Sequence, residues 1–180
     1  MNTISTNRSL VNTIIAIFLL IFAAFISDSK INPNLSRDVL GTDTTLYNVT
    51  SIVDGDTIKV SDSQEQFTVR LIGIDTPETK DPRKEVECFG EEATLYLTKL
   101  LDDNSIILKS DSTQDDVDRY GRLLRYAFLQ DGTNVNKTMI QDGYAYEYTY
   151  SKPYYYQKEF IDAQHFARNG RLGLWNGVCD

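Results

Sequence analysis

The chain has 180 residues, 41% of them hydrophobic and 24% charged, which suits one folded domain with its own core plus a short extension. Its formal net charge of −8 excludes tight, nonspecific adhesion to nucleic acid through a basic surface. It leaves room for an enzyme that binds its substrate transiently through a local positive pocket and a bound cation.

The first segment stands apart from that core. Arg8 precedes residues 10–26, which are apolar except for Asn12 and Thr13. A positive flank before a short apolar run reads as a signal peptide or an N-terminal membrane anchor over residues 1–27. The run is signal-like in length and short for a comfortable span. Ala23 and Ala24 lie near its end without making a clean small-x-small cleavage site, so cleaved signal and retained tether both stand. A buried core helix is disfavoured, because nothing in the segment is amphipathic. No cysteine follows the run, so lipid anchoring is not expected. Residues 28–43 are polar, with Pro33, and read as a flexible linker to a folded body over 44–180. Without the leader 17 basic and 26 acidic residues remain, a net of −9. The expected location is secreted or membrane-anchored outside the cytoplasm.

Strand-like runs follow. Residues 46–53 lead into a turn at Asp54-Gly55, and 57–60 come next. Residues 66–74 form the clearest strand, with Phe67, Val69 and Leu71 on one parity. A helix is expected over 90–101, where Ala93, Leu97, Leu100 and Leu101 repeat at helical spacing. Strands are expected over 105–109 and 123–129. A short helix over 134–142 ends at Gly143. A longer one over 153–169 carries Tyr156, Phe160, Ala163 and Ala167 on one stripe, with Pro153 in its first turn and Gly170 as its cap. Five short strands with a helix between the third and fourth predict a mixed α+β fold: a five-stranded, partly open barrel of the oligonucleotide-binding (OB-fold) type with three α-helices packed on it.

The residue inventory narrows the chemistry. The single histidine, His165, sits within the last helix pattern, where surface or packing roles are the usual ones. The available bases are therefore carboxylates, helped by a metal or by arginine. Three clusters qualify. Asp54-Gly55-Asp56-Thr57 offers hard oxygen ligands for a cation such as calcium, or an ordinary turn. The run from Val69 to Glu78 places Arg70 inside an apolar strand and Asp75, Thr76 and Glu78 at its end. An arginine there needs a partner or an anionic ligand. Strict alternation sets Arg70 and Asp75 on opposite faces unless Gly73 permits a bend. A structural salt bridge is the alternative. Asp118-Arg119-Tyr120-Gly121-Arg122 offers two phosphate-binding forks beside a tyrosine, or a solvated charged turn. Together they fit phosphodiester hydrolysis.

Cys88 and Cys179 are the only cysteines. Outside the cytoplasm a bond between them is favoured over two separate buried thiols. It would staple the extreme C-terminus to the segment before the first helix, contributing roughly 4 kcal/mol by loop closure. Two distant cysteines and one histidine make a poor zinc set.

Taken in order, Val53-Asp54-Gly55-Asp56-Thr57, then Val69 to Thr79, then Arg119-Tyr120-Gly121-Arg122, then Gly173-Leu174-Trp175 resemble the staphylococcal nuclease (thermonuclease, micrococcal nuclease) family from about Leu46 to Trp175. The resemblance implies the same barrel with three helices, and a nuclease domain at 44–180. It implies calcium-dependent cleavage of DNA and RNA to 3′-phosphate ends. By position, Asp56, Asp75 and the Thr76 carbonyl would hold Ca2+, with Asp54 behind them. Glu78 would be the general base, and Arg70 and Arg122 would bind the phosphate. Arg119, Tyr120, Tyr148 and Tyr150 would contact substrate, although the run from Tyr144 to Tyr156 is too tyrosine-rich to fix the last two by register, and packing beneath the last helix is an equal alternative for them. The acidic loop residues Asp81, Glu85 and Glu87 and the acidic body depart from the best-known member and bear on affinity and substrate range; the two cysteines are also extra to it, although cysteine-bearing relatives look similar. A monomer with DNA and RNA as its partners, no protein partner and a possible tether through residues 10–26 is expected. The rival readings are a non-catalytic nucleic-acid-binding module on the same barrel and a membrane-tethered structural or adhesion domain.

Overall fold

The structure, a computed structural model, describes residues 45–79, 87–102 and 105–179. The expected leader, tether and linker over 1–43, and the charged loop residues from Lys80 to Val86, lie outside the described residues.

Strands β1 (Leu46–Asp54), β2 (Thr57–Ser61) and β3 (Gln66–Leu71) form a meander. A two-residue strand β4 (Ile74–Asp75) and helix α1 (Gly90–Leu101) follow, then β5 (Ser105–Lys109) and β6 (Leu123–Phe128). Helix α2 (Val135–Gln141), strand β7 (Tyr146–Glu147), helix α3 (Gln157–Gly170) and a 3-10 turn at Gly173–Trp175 complete the order. The order β1-β2-β3-β6-β5 closes into a barrel, with β3 and β6 the parallel pair. The expected five-stranded barrel with three helices is therefore the fold, and it is closed.

The core follows the sequence periodicities. Ile58, Val60, Val69, Leu71, Ile106 and Leu108 point inward and are almost fully buried. Helix α1 buries Ala93, Leu97 and Leu101 one turn apart, and α3 buries Phe160, Ala163 and Ala167. Asn134 caps α2 by accepting a hydrogen bond from the Lys137 N–H at 3.1 Å. Cys88 and Cys179 are disulfide-bonded, with Cα atoms 5.8 Å apart.

Three expectations are corrected. The strand expected over 66–74 stops at Leu71, because Ile72-Gly73 forms a turn with Gly73 at φ +77. A side chain at Gly73 would also place its Cβ 2.7 Å from the Tyr154 ring. The last helix begins at Gln157 rather than at Pro153. Its would-be first turn is held elsewhere: the Tyr155 N–H donates to Asp111 Oδ2 at 2.8 Å, and the Tyr154 side chain is buried. That helix ends with Arg171, not Gly170, in the left-handed conformation at φ 52. The N–H groups of Arg171 and Leu172 then return to the carbonyls of Arg168 and Ala167, closing the helix.

The Ile72-Gly73 turn is fastened from below. Asn136, fully buried on α2, donates from Nδ2 to the Ile72 carbonyl at 2.9 Å and accepts from the Ala127 N–H at 2.9 Å. From the flank, the Tyr148 N–H donates to the Gly73 carbonyl at 3.0 Å. Replacing Asn136 with leucine keeps its branched outline and strands two buried backbone groups, each costing about 1–3 kcal/mol when unsatisfied. Asn136→Leu is expected to lose roughly 2–5 kcal/mol in urea denaturation; a loss below about 1 kcal/mol would show that water or a neighbour replaces the amide.

Candidate active site

Pairing geometry brings the first two sequence clusters together. Thr57 is the register partner of Arg70, and the Leu71 N–H donates to the Asp56 carbonyl at 2.9 Å. The β1–β2 turn therefore delivers Asp56 beside the Arg70 side chain. Gly55 makes the close approach possible, since a Cβ there would lie 2.8 Å from the Thr76 side chain. On the other side, the Ile72-Gly73 turn adds the residues that reverse the alternation, so Asp75 returns to the face of Arg70.

Arg70 is the centre of the result. Its Nη2 lies 2.8 Å from Asp56 Oδ2 and 2.9 Å from Asp75 Oδ1. Its Nη1 donates to the carbonyls of Leu71 at 3.0 Å and Ile74 at 2.7 Å. One guanidinium thus spans the turn and both carboxylates, as only a planar fork with several fixed donors can. Asp56 is further held by the Thr57 hydroxyl at 2.8 Å and by the Thr76 N–H at 3.2 Å. Thr57 also accepts from Arg122 Nη1 at 3.3 Å, which links the third cluster to the first two. The sequence placed Thr57 in the first cluster without a role of its own; its place directly after Asp56 was the available signal.

Arg122 is aimed by Asp118, whose Oδ2 accepts from Arg122 Nε at 2.6 Å. Burial acts to raise the Asp118 carboxyl, but hydrogen bonds from Arg122 and from the Tyr120 backbone outweigh it and hold the group below its ordinary range. Tyr120 is 68% exposed, with the guanidinium carbons of Arg119 and Arg122 at 4.8 and 5.3 Å from its ring centre. Arg70, Asp75, Arg122, Tyr120, Tyr148 and Tyr150 all line one groove of about 500 Å³. A second hollow, on the β1–α1 side, contains none of these groups. Tyr148 and Tyr150 are exposed neighbours with ring centres 6.3 Å apart, whereas Tyr154 is buried in the core.

Two walls of the groove are laced together by a residue the sequence did not flag. Buried Asp111 accepts from the Tyr126 hydroxyl at 2.7 Å and from the Tyr155 N–H at 2.8 Å. Gln114 adds a bond to the Pro153 carbonyl at 2.9 Å. The loop carrying Asp118 is thereby fixed against the tyrosine segment.

Glu78 lies three residues beyond Asp75 and is placed through its backbone. Its N–H donates to Glu87 Oε2 at 3.0 Å, and the Glu87 N–H donates to the Glu78 carbonyl at 2.9 Å. Glu87 is adjacent to the bonded Cys88. Read in sequence only as loop acidity, Glu87 is here a clamp on Glu78. His165 is exposed on α3, outside the groove.

The carboxylates repel one another. Burial, followed by the charge and hydrogen bond of Asp56, pushes the Asp54 carboxyl up to about 7. Burial also raises Asp75; Arg70 opposes this, and Asp56, Glu87 and Glu78 add to it. Among the described residues no three acidic, histidine or cysteine side chains close into a ready metal cage. Yet two carboxylate oxygens already converge on one cationic atom, Arg70 Nη2. That convergence and the purely oxygen donor set fit a hard divalent cation that completes its shell with water.

The chain is similar to known proteins over most of this body. A family model described as "Staphylococcal nuclease homologue" matches residues 68–177. The Thermonuclease of Staphylococcus hyicus is 30% identical over 164 residues, 91% of this chain and 94% of that protein. Endonuclease YncB of Bacillus subtilis is 37% identical over 134 residues, 73% of this chain and 63% of the relative. The SPbeta prophage-derived endonuclease YokF of the same organism is 38% identical over 125 residues, 69% of this chain and 42% of the relative. The chain thus spans less than two thirds of either Bacillus relative.

A folded-state carboxyl raised above its unfolded value gives stability that is present at low pH and lost as pH rises through the folded value. With chelator present, the melting temperature is expected to fall between pH 4 and pH 7, the window set by Asp54. Asp54→Asn should flatten most of that fall. A melting temperature independent of pH across this window would remove Asp54 as a strained carboxyl.

Proposed function

The chain belongs to the staphylococcal nuclease family, and from that premise we propose that it is a calcium-dependent phosphodiesterase that cuts DNA and RNA to 3′-phosphate ends. The observation that carries this reading is the convergence of Asp56 Oδ2 and Asp75 Oδ1 on Arg70 Nη2, in a groove that Arg122 and the tyrosines also line.

The proposed division of labour follows from what each group can donate or accept. Asp56, Asp75 and the Thr76 carbonyl would hold calcium, with Asp54 behind them; when bound, it would offset phosphate charge and lower the cost of forming hydroxide. Arg70 and Arg122 donate to phosphate oxygens, whose charge grows as phosphorus becomes five-coordinate. Glu78 takes a proton from the attacking water. The new P–O bond forms as the P–O5′ bond breaks, so phosphate stays on the 3′ side and a hydroxyl leaves on the 5′ side. Tyr148 and Tyr150 offer ring faces for bases, a sequence-tolerant form of recognition. Tyr120 and Arg119 would contact the backbone. The acidic body favours this local binding over tight adhesion, because the groove gathers Arg70, Arg119 and Arg122 for phosphate.

We place the protein outside the cytoplasm, secreted or tethered through residues 10–26. The Cys88–Cys179 bond supports that location, since such bonds persist in oxidising compartments.

The deciding measurement is cleavage of DNA and RNA by the oxidised protein in calcium and then in chelator. Calcium-dependent cleavage with 3′-phosphate ends is expected. Binding without cleavage would move the chain to a non-catalytic binding module. Glu78→Gln should fold and bind calcium normally while losing most turnover; near-normal turnover would remove Glu78 as base. Arg122→Ala should lower kcat by about two to three decades, the usual cost of one such donor.

A further inference from the structure

Strand β7 carries the groove beyond its walls. Tyr146 is the register partner of Asp75, so the two side chains leave the two-stranded sheet on one face. Tyr146, Tyr148 and Tyr150 are all exposed, while Glu147 and Thr149 between them are half-buried, so the segment that follows β7 keeps its tyrosines turned outward. Tyr148 and Tyr150 line the groove on the Gly73 side of Asp75. Tyr146, 37% exposed, lies across from Asp75 itself, two residues before Tyr148. Its ring meets Trp175 edge to face at 5.3 Å, and the guanidinium carbon of exposed Arg168 lies 4.5 Å from the Trp175 ring centre.

We propose that Tyr146, Trp175 and Arg168 form an additional nucleotide subsite that stacks a base of a single strand extending past Asp75, away from Tyr148 and Tyr150. The proposal rests on the nuclease reading above. Its argument is continuity and charge. Tyr148 and Tyr150 line the groove, and Tyr146, two residues before Tyr148, meets Trp175. Beside Trp175 stands an arginine, in a chain whose net charge of −8 makes a positive charge there a departure from the average surface. Aromatic faces bind bases regardless of identity, and a guanidinium beside them suits the adjoining phosphate. The occupant is a nucleobase with its phosphate, from DNA or RNA.

Trp175 is the only tryptophan, so its fluorescence reports on this shelf alone. The test titrates the full-length oxidised protein, in calcium, with hydrolysis-resistant phosphorothioate dinucleotides and octanucleotides of both thymidine and uridine. The octanucleotides are expected to change Trp175 emission and the dinucleotides are not. In parallel, KM is measured for cleavable strands of the two lengths. Tyr146→Ala and Arg168→Ala should each raise KM for the octanucleotide roughly five- to hundredfold, the range for one lost stacking contact. Tyr146→Phe, which keeps the ring, should restore it. Equal emission changes for both lengths, or an octanucleotide KM untouched by Tyr146→Ala, would overturn the subsite and leave the nuclease reading standing. Should no strand be cleaved, the nuclease reading fails, and the length dependence of the Trp175 signal alone decides the subsite.

Discussion

The site depends on one arginine bonded to the turn beside it. Arg70 fastens the carbonyls of Leu71 and Ile74 with one nitrogen and the carboxylates of Asp56 and Asp75 with the other. A partly buried guanidinium must have its donors satisfied. Here the groups that satisfy it are the backbone of the turn and the acidic pair that the turn creates. The Ile72-Gly73 turn is therefore both the cause of the site and a product of its central charge. Asn136 beneath it and Tyr148 beside it supply the remaining bonds, so the fold's core and the groove's floor share the same few hydrogen bonds.

Crowded carboxylates give this arrangement its chemical bias. Asp54, Asp56 and Asp75 stand close enough that burial and mutual repulsion raise two of them, with Arg70 as the compensating charge. Such a cluster gains from an added cation, and this is the electrostatic argument for the calcium proposed above. The positive charge that the proposed reaction would use on phosphate is likewise local. It comes from Arg70 and Arg122, each held by a carboxylate, rather than from a basic surface. An acidic protein and a polyanionic substrate are compatible on those terms.

The tyrosine-rich segment divides its labour by environment. Tyr146, Tyr148 and Tyr150 alternate onto the exposed face, while Tyr154 turns into the core and offers its hydroxyl to Glu147 and the Gly73 carbonyl. Asp111 holds the change of direction by binding the Tyr155 N–H and the Tyr126 hydroxyl together. The delayed start of the last helix has the same origin. A proline three residues before Tyr156 permits a helix there, but the Asp111 bond and the burial of Tyr154 take those residues for the groove wall.

Local physics made much of this legible in the sequence. Strand parity at Phe67, Val69 and Leu71, helical stripes at Ala93-Leu97-Leu101 and Phe160-Ala163-Ala167, and the short helix ended by Gly143 all depend on neighbours a few residues away. They hold in the structure with small shifts of boundary. The ordered motifs around Asp56, Arg70 and Arg122 carried the family for the same reason, since residue type and spacing survive without coordinates. What only the tertiary structure decided are relations across long separations. Alternation alone set Arg70 and Asp75 on opposite faces; a turn tied down by Asn136, which is 64 residues away from Ile72, brought them to one atom. Thr57 as the link to Arg122, Glu87 as the clamp on Glu78, and the choice of which tyrosines face the groove are of the same kind. Each is fixed by hydrogen bonds between distant segments, and such bonds leave no periodicity in the chain to read.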